Sequence, residues 1–175
     1  SNCVIIHCTG QECDVSPCTD AHEAIKSVPV VQAATACDNP ETGETHILML
    51  NQAIWMGDKM KHTLVNPNQL RACGIAVQDN PFVEAPMFVS TEDNNFSAPL
   101  ACKGAIPGVA ARTPTEQKLQ TCPRVTLSSD HEWDPQNVRF PQASRAVEAE
   151  ISRWVGSVVT TSYRTPEDDA NFDAD

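Results

Sequence analysis

Val28-Pro29-Val30-Val31-Gln32-Ala33-Ala34-Thr35-Ala36, then Asp38-Asn39-Pro40-Glu41-Thr42-Gly43, then Thr45-His46-Ile47-Leu48-Met49-Leu50 is the stretch on which the fold turns. The first run is rich in β-branched and small residues and suits a strand. The middle block is dense in residues whose side chains and backbone preferences make turns. The apolar run Ile47 to Leu50 is strand-sized. Strand, turn and strand predict a β-hairpin from Val28 to Leu50. The second strand pattern continues to Trp55, with Ile47, Met49 and Ile54 as expected buried positions. Gly57-Asp58 breaks it.

Outward from the hairpin the elements stay short. Upstream, Val4-Ile5-Ile6 reads as a strand, Thr9-Gly10 as a turn, and Ala21 to Lys26 as a short helix. Downstream, His62-Thr63-Leu64-Val65 is a short apolar element. Asn66 is placed to cap a helix whose first residue is Pro67, and Gly74 sits where a helix C-terminal glycine belongs. Ile75 and Val77 alternate as in a strand. Met87 to Val89, Ala98 to Cys102, Ala105 to Ala111 and Val125 to Leu127 are further strand candidates. Thr113-Pro114-Thr115-Glu116 reads as a capping box opening a helix that ends near Thr121. Val147, Ile151, Trp154, Val155 and Val158 recur at helical spacing, which predicts an amphipathic helix over 144–162. An acidic, disordered tail is expected over 163–175. The fold class expected is mostly β with short helices.

The bulk numbers narrow the function. The 175 residues carry a formal net charge of −11, which repels phosphate backbones, so no direct nucleic-acid binding is expected. No run approaches the roughly 20 apolar residues of a membrane span. No signal peptide is visible, and a cytoplasmic location is expected. Of the eight cysteines, Cys3, Cys8, Cys13 and Cys18 stand at a regular interval, and Cys37, Cys73, Cys102 and Cys122 are scattered. None forms Cys-x-x-Cys. Reduced thiols are the favoured reading, beside disulfides and a metal site. No cofactor and no metal are called for.

Gly43-Glu44-Thr45-His46-Ile47-Leu48-Met49-Leu50-Asn51-Gln52-Ala53-Ile54-Trp55-Met56-Gly57-Asp58, continuing through Leu64-Val65-Asn66-Pro67-Asn68-Gln69-Leu70-Arg71 to Ile75, resembles a segment of the protease region of copia-like retrotransposon polyproteins, such as those of diatoms and other microbial eukaryotes. Cys13-Asp14-Val15-Ser16-Pro17, Val28 to Ala36, Arg112 to Glu116 and His131-Glu132-Trp133-Asp134-Pro135 resemble the same family. The resemblance runs from about Ser1 to Ile151. It implies a retropepsin-like fold, an aspartic-protease half-barrel, over 1–143. It also implies a homodimer and a polyprotein peptide as substrate. In that family two carboxylates at the dimer axis share a proton and activate a water. Leu64 and Val65 match the family's later apolar pair. Asn66 stands where glycine is common, a place where tolerance of unusual backbone angles matters. Trp55, Met56 and Met60 are candidates for the substrate groove or for the core. The Val28–Leu50 hairpin is either a flap over the cleft or structural.

The departure from the family is the absence of Asp-Thr-Gly and Asp-Ser-Gly. Cys8-Thr9-Gly10 is the nearest string. Either Cys8 replaces the aspartate, or the motif lies upstream and the domain is incomplete at its N-terminus. The second reading is favoured. No catalytic residue is assigned, and no peptidase activity is expected of this chain alone. Two other readings stand beside it: a non-enzymatic β-domain serving as spacer or dimerisation module, and a thiol- or metal-dependent protein using the Cys3–Cys18 series. Asp130, His131, Glu132 and Asp134 around Trp133 read as a solvated loop rather than an acid/base site. His22-Glu23 beside Cys18 reads as a surface helix start.

Overall fold

Two strands carry the core of the domain, and their sequence says why. In the computed structural model, which describes residues 2–16, 23–40, 42–60 and 62–131, β2 (Ile25–Asp38) and β3 (Thr45–Ile54) form the expected antiparallel hairpin. The turn is closed by Gly43 N–H donating to Asn39 O at 2.8 Å, and Gly43 has φ +72°, a left-handed conformation that glycine adopts without strain. The run from His46 to Leu50 is buried at every position. Such a run does not alternate because both faces of the strand are covered.

The two faces belong to different clusters. Val31, Ala33, Cys37, Leu48 and Leu50 pack with Leu70, Ile75, Val89, Phe96, Ala98 and Leu127. Ala34, Ala36, Ile47 and Met49 pack on the other side, with Val4, Leu119 and Cys122 against them. The hairpin is therefore a structural centre and not a flap.

Four strands form the main sheet in the order β1-β2-β3-β9. Strand β1 spans Val4–Val15, far longer than the expected Val4-Ile5-Ile6. Thr9-Gly10 is not a turn. It lies in an irregular stretch of β1 between Cys8, opposite Val31, and Glu12, opposite Pro29, with Gly10 at φ +79°. The expected helix Ala21–Lys26 is also corrected: Ile25 and Lys26 open β2, and Lys26 pairs with Asp14 of β1 at 2.7 Å. Ala21 and His22 lie outside the described residues. Where β1 ends, Arg112 continues the sheet edge, exchanging two backbone hydrogen bonds of 2.9 Å with Ala36. Strand β9 (Arg124–Thr126) runs parallel to β3 on the opposite side.

Between β3 and β9 lie a 3₁₀ turn (Gly57–Lys59), helix α1 (Pro67–Ala72), a sheet of β4 (Ile75–Gln78), β5 (Phe88–Thr91) and β6 (Ser97–Pro99), the β7–β8 hairpin (Ala101–Lys103, Ile106–Gly108), and helix α2 (Glu116–Thr121). Asn66 caps α1, its side-chain oxygen accepting from Asn68 N–H at 2.9 Å, and Gly74 follows at φ +79° as expected. The α2 cap differs. Thr115, not Thr113, accepts from Lys118 N–H, so Pro114 precedes the cap. The architecture is mostly β with short helices, as the sequence predicts. The helix over 144–162 and the tail over 163–175 lie outside the described residues.

One irregularity in β3 decides which of its later side chains point inward. Val31 stands opposite Ala53 and Ala33 opposite Leu50, so Asn51 and Gln52 together face Gln32 alone. This is a β-bulge, with Gln52 at φ +54°. The extra residue reverses the alternation of the strand. Leu48 and Leu50 face the first cluster before the bulge, and Ala53 and Trp55 face it after. Ile54, expected to be buried, is turned out and is 52% exposed.

Candidate functional site

The bulge delivers Trp55 to the wall of a cleft of about 540 Å³. Strand β1 and the residue before it contribute Val15 and Cys3, β3 contributes Leu50 to Ile54, and the segment after β3 contributes Trp55, Met56, Met60 and His62 to Asn66. All four residues singled out from sequence, Trp55, Leu64, Val65 and Asn66, line it. Leu64 is 74% and Val65 43% exposed, so this expected apolar element is a rim and not a core strand. Trp55 is both groove and core, since it also packs on the first cluster. Asn66 has φ −80° and ψ 113°, ordinary extended backbone. Its asparagine serves as a helix cap and not as a stand-in for glycine in an unusual conformation.

The far end of the cleft is polar and tied together. Ser128 Oγ accepts from Asn51 N–H and donates to Asn51 O, both at 2.9 Å. Asn51 Nδ2 donates to Ser128 O at 3.0 Å, and Gln32 Nε2 donates to Asn51 Oδ1 at 2.6 Å. The serine hydroxyl thus spends its proton on a carbonyl and extends the β3–β9 ladder. Cys3 Sγ lies 3.2 Å from Thr63 Oγ1, joining the start of the chain to the segment on the other wall.

Among the described residues that line the cleft there is no carboxylate. Cys8, the alternative occupant of the aspartate position, is exposed on β1 and is not among the lining residues. The cysteine series does not converge. Cys3, Cys8 and Cys13 are spread along an extended strand, where five residues span about 16 Å, and Cys18 lies outside the described residues. Cys8, Cys13, Cys37, Cys73, Cys102 and Cys122 are free thiols. Burial, and next the charge of Asp38, push the Cys37 thiol above its ordinary range, which keeps it protonated and unreactive. Asp130 and His131 are exposed, 3.9 Å apart, and Glu132, Trp133 and Asp134 lie outside the described residues.

Sequence reasoning missed two features. His46 is buried at the end of the first core face, its ring 5.2 Å from that of Phe96, with Nε2 4.0 Å from Glu44 Oε2 and Nδ1 without a hydrogen-bond partner. The strand pattern places it but cannot show what covers it. The Asn51–Gln52 bulge was also unannounced, because neither residue is one that favours the left-handed region strongly enough to mark it. No protein-family model, curated protein or solved structure matches the chain. Among the described residues no helix is long and apolar enough to cross a membrane.

Proposed function

We propose that this chain is part of a copia-like retrotransposon polyprotein, a retropepsin-like region that retains an extended-peptide groove without the aspartate that cuts. The observation that carries this reading is the meeting of Trp55, Leu64, Val65 and Asn66, each picked out by the family resemblance, on one cleft. An apolar wall with a few side-chain amides suits a peptide lying along it. The two-carboxylate mechanism needs a pair of neighbouring acids. The sequence offers no Asp-Thr-Gly or Asp-Ser-Gly, and the described lining offers no carboxylate. By this reading the chain binds polyprotein-derived peptides and does not hydrolyse them.

The test uses Trp55 fluorescence in a background where Trp133 and Trp154 are replaced by Phe. Extended peptides from junctions of such polyproteins should change the Trp55 emission. Leu64→Ser with Val65→Ser should abolish the response while leaving the melting temperature in place, since both side chains are largely exposed. A cleft indifferent to every such peptide sinks the groove. Pepstatin-sensitive cleavage at acidic or neutral pH overturns the claim of inactivity.

A second reading is a β-domain that pairs with itself or spaces other modules. The exposed apolar residues Ile54 and Leu64 beside the cleft favour it, as does Phe82, which is 94% exposed. Sedimentation across a concentration series separates the two: a dimer that Ile54→Ser dissolves supports pairing.

A further inference from the structure

We propose that the cleft binds a soft monovalent metal ion, Cu(I), through Met56, Met60, His62 and Cys3. All four side chains line the same cavity. The sequence Met56-Gly57-Asp58-Lys59-Met60-Lys61-His62 places two thioethers and an imidazole within seven residues. The fold then bends that run around the cleft. Met56 begins the 3₁₀ turn and Met60 ends it, so the two sulfurs leave the backbone on either side of one tight turn. His62 lies at a bend, and Cys3 is fixed to its neighbour Thr63 by the 3.2 Å contact. The thiol of Cys3 is thereby held one residue from the imidazole.

The methionines themselves supply a second, independent observation. Met49 is buried and belongs to a core cluster. Met56 and Met60 are only half-buried and belong to neither cluster. Their thioethers are turned to the cleft instead of filling core space. Each has three rotatable bonds, which lets the sulfurs close on an ion without moving the backbone.

The donor set selects the metal. Thioether and thiol ligands favour Cu(I), whereas Mg²⁺, Ca²⁺ and Mn²⁺ require carboxylates and carbonyls. The described lining has no carboxylate, and no group of three His, Cys, Asp or Glu exists among the described residues. A hard-metal site or an ordinary zinc site is not built here. One thiolate with two thioethers and an imidazole balances the single charge of Cu(I), which suits an apolar wall. Binding releases the Cys3 thiol proton. This inference does not rest on the peptide groove or on the polyprotein origin.

The experiment uses the full chain, fully reduced and free of oxygen, with ¹³C-methyl methionine. One equivalent of Cu(I) is added against a chromophoric Cu(I) chelator. The Met56 and Met60 methyl resonances should shift while those of Met49 and Met87 stay. Met56→Leu with Met60→Leu conserves volume and should weaken binding by about tenfold or more, with the melting temperature unchanged. His62→Ala, at an exposed position, should weaken it separately. Copper taken up with the Met56 and Met60 methyls unmoved would show binding at surface thiols and overturn the site. So would a double variant that competes with the chelator as well as the parent does.

Discussion

Arg112 grips Asp38 with both prongs of its guanidinium, Nε to Oδ2 and Nη2 to Oδ1, each at 2.7 Å. Thr45 donates to the same carboxylate at 2.5 Å, and Lys118 Nζ donates to Thr45 Oγ1 at 2.9 Å. Four elements of the chain therefore meet at the mouth of the β2–β3 turn.

The hydrogen bond from Arg112, and next that from Thr45, hold the Asp38 carboxyl well below the ordinary carboxylate range. A carboxyl whose folded pKa is depressed stabilises the fold above its unfolded pKa of about 3.9 and loses that stabilisation as pH falls below it. Melting curves from pH 7 down to pH 2 should show this loss. Asp38→Asn should lower the melting temperature by about 2 °C at pH 7, since the pair is half-exposed and water screens it. The variant should converge on the parent at low pH. Equal offsets at pH 7 and pH 2 would refute the assignment.

Ile47 and Ile54 look alike in sequence and should behave very differently. Ile47→Ala removes a fully buried side chain and should cost about 2–5 kcal/mol in urea unfolding. Ile54→Ala should stay within about 0.5 kcal/mol. Similar costs at the two sites would mean that the strand alternates without interruption.

Thr115→Ala should cost about 1 kcal/mol, because it removes the side-chain acceptor at the start of α2. Thr113→Ala should cost clearly less. The reverse order of urea midpoints would restore the capping box at Thr113.

Gln52 sits in the left-handed region, where a β-branched side chain is strained. Gln52→Val should be at least about 1 kcal/mol less stable than Gln52→Gly. Both variants lose the hydrogen bond from Gln52 Nε2 to Asp130 O, so their difference isolates the backbone.

What the sequence disclosed was mostly local. The β2–β3 hairpin, the α1 cap at Asn66 and the glycine stop at Gly74 all depend on neighbours a few residues apart. Strand β1 escaped notice because it is an edge. It is held by β2 alone and keeps polar residues such as His7, Gln11 and Glu12, so no apolar alternation marks it. The parallel pairing of β3 with β9, and the Asp38–Arg112 grip, join residues more than seventy positions apart in chain order. Composition carries no signal for either. At the site, the lining residues Trp55, Leu64, Val65 and Asn66 were legible as a group. Their partners Cys3 and Ser128 were not, since only the closing of the sheet brings them there.

The bulge in β3 has a consequence for how such a chain can change. A substitution alters what one position presents. Losing the single codon for Gln52 would instead exchange inside and outside for everything after Leu50 in that strand. Ile54 would point to the core and Trp55 away from the cleft. The cleft is thus more vulnerable to one in-frame deletion at a residue that barely touches it than to most replacements within its wall.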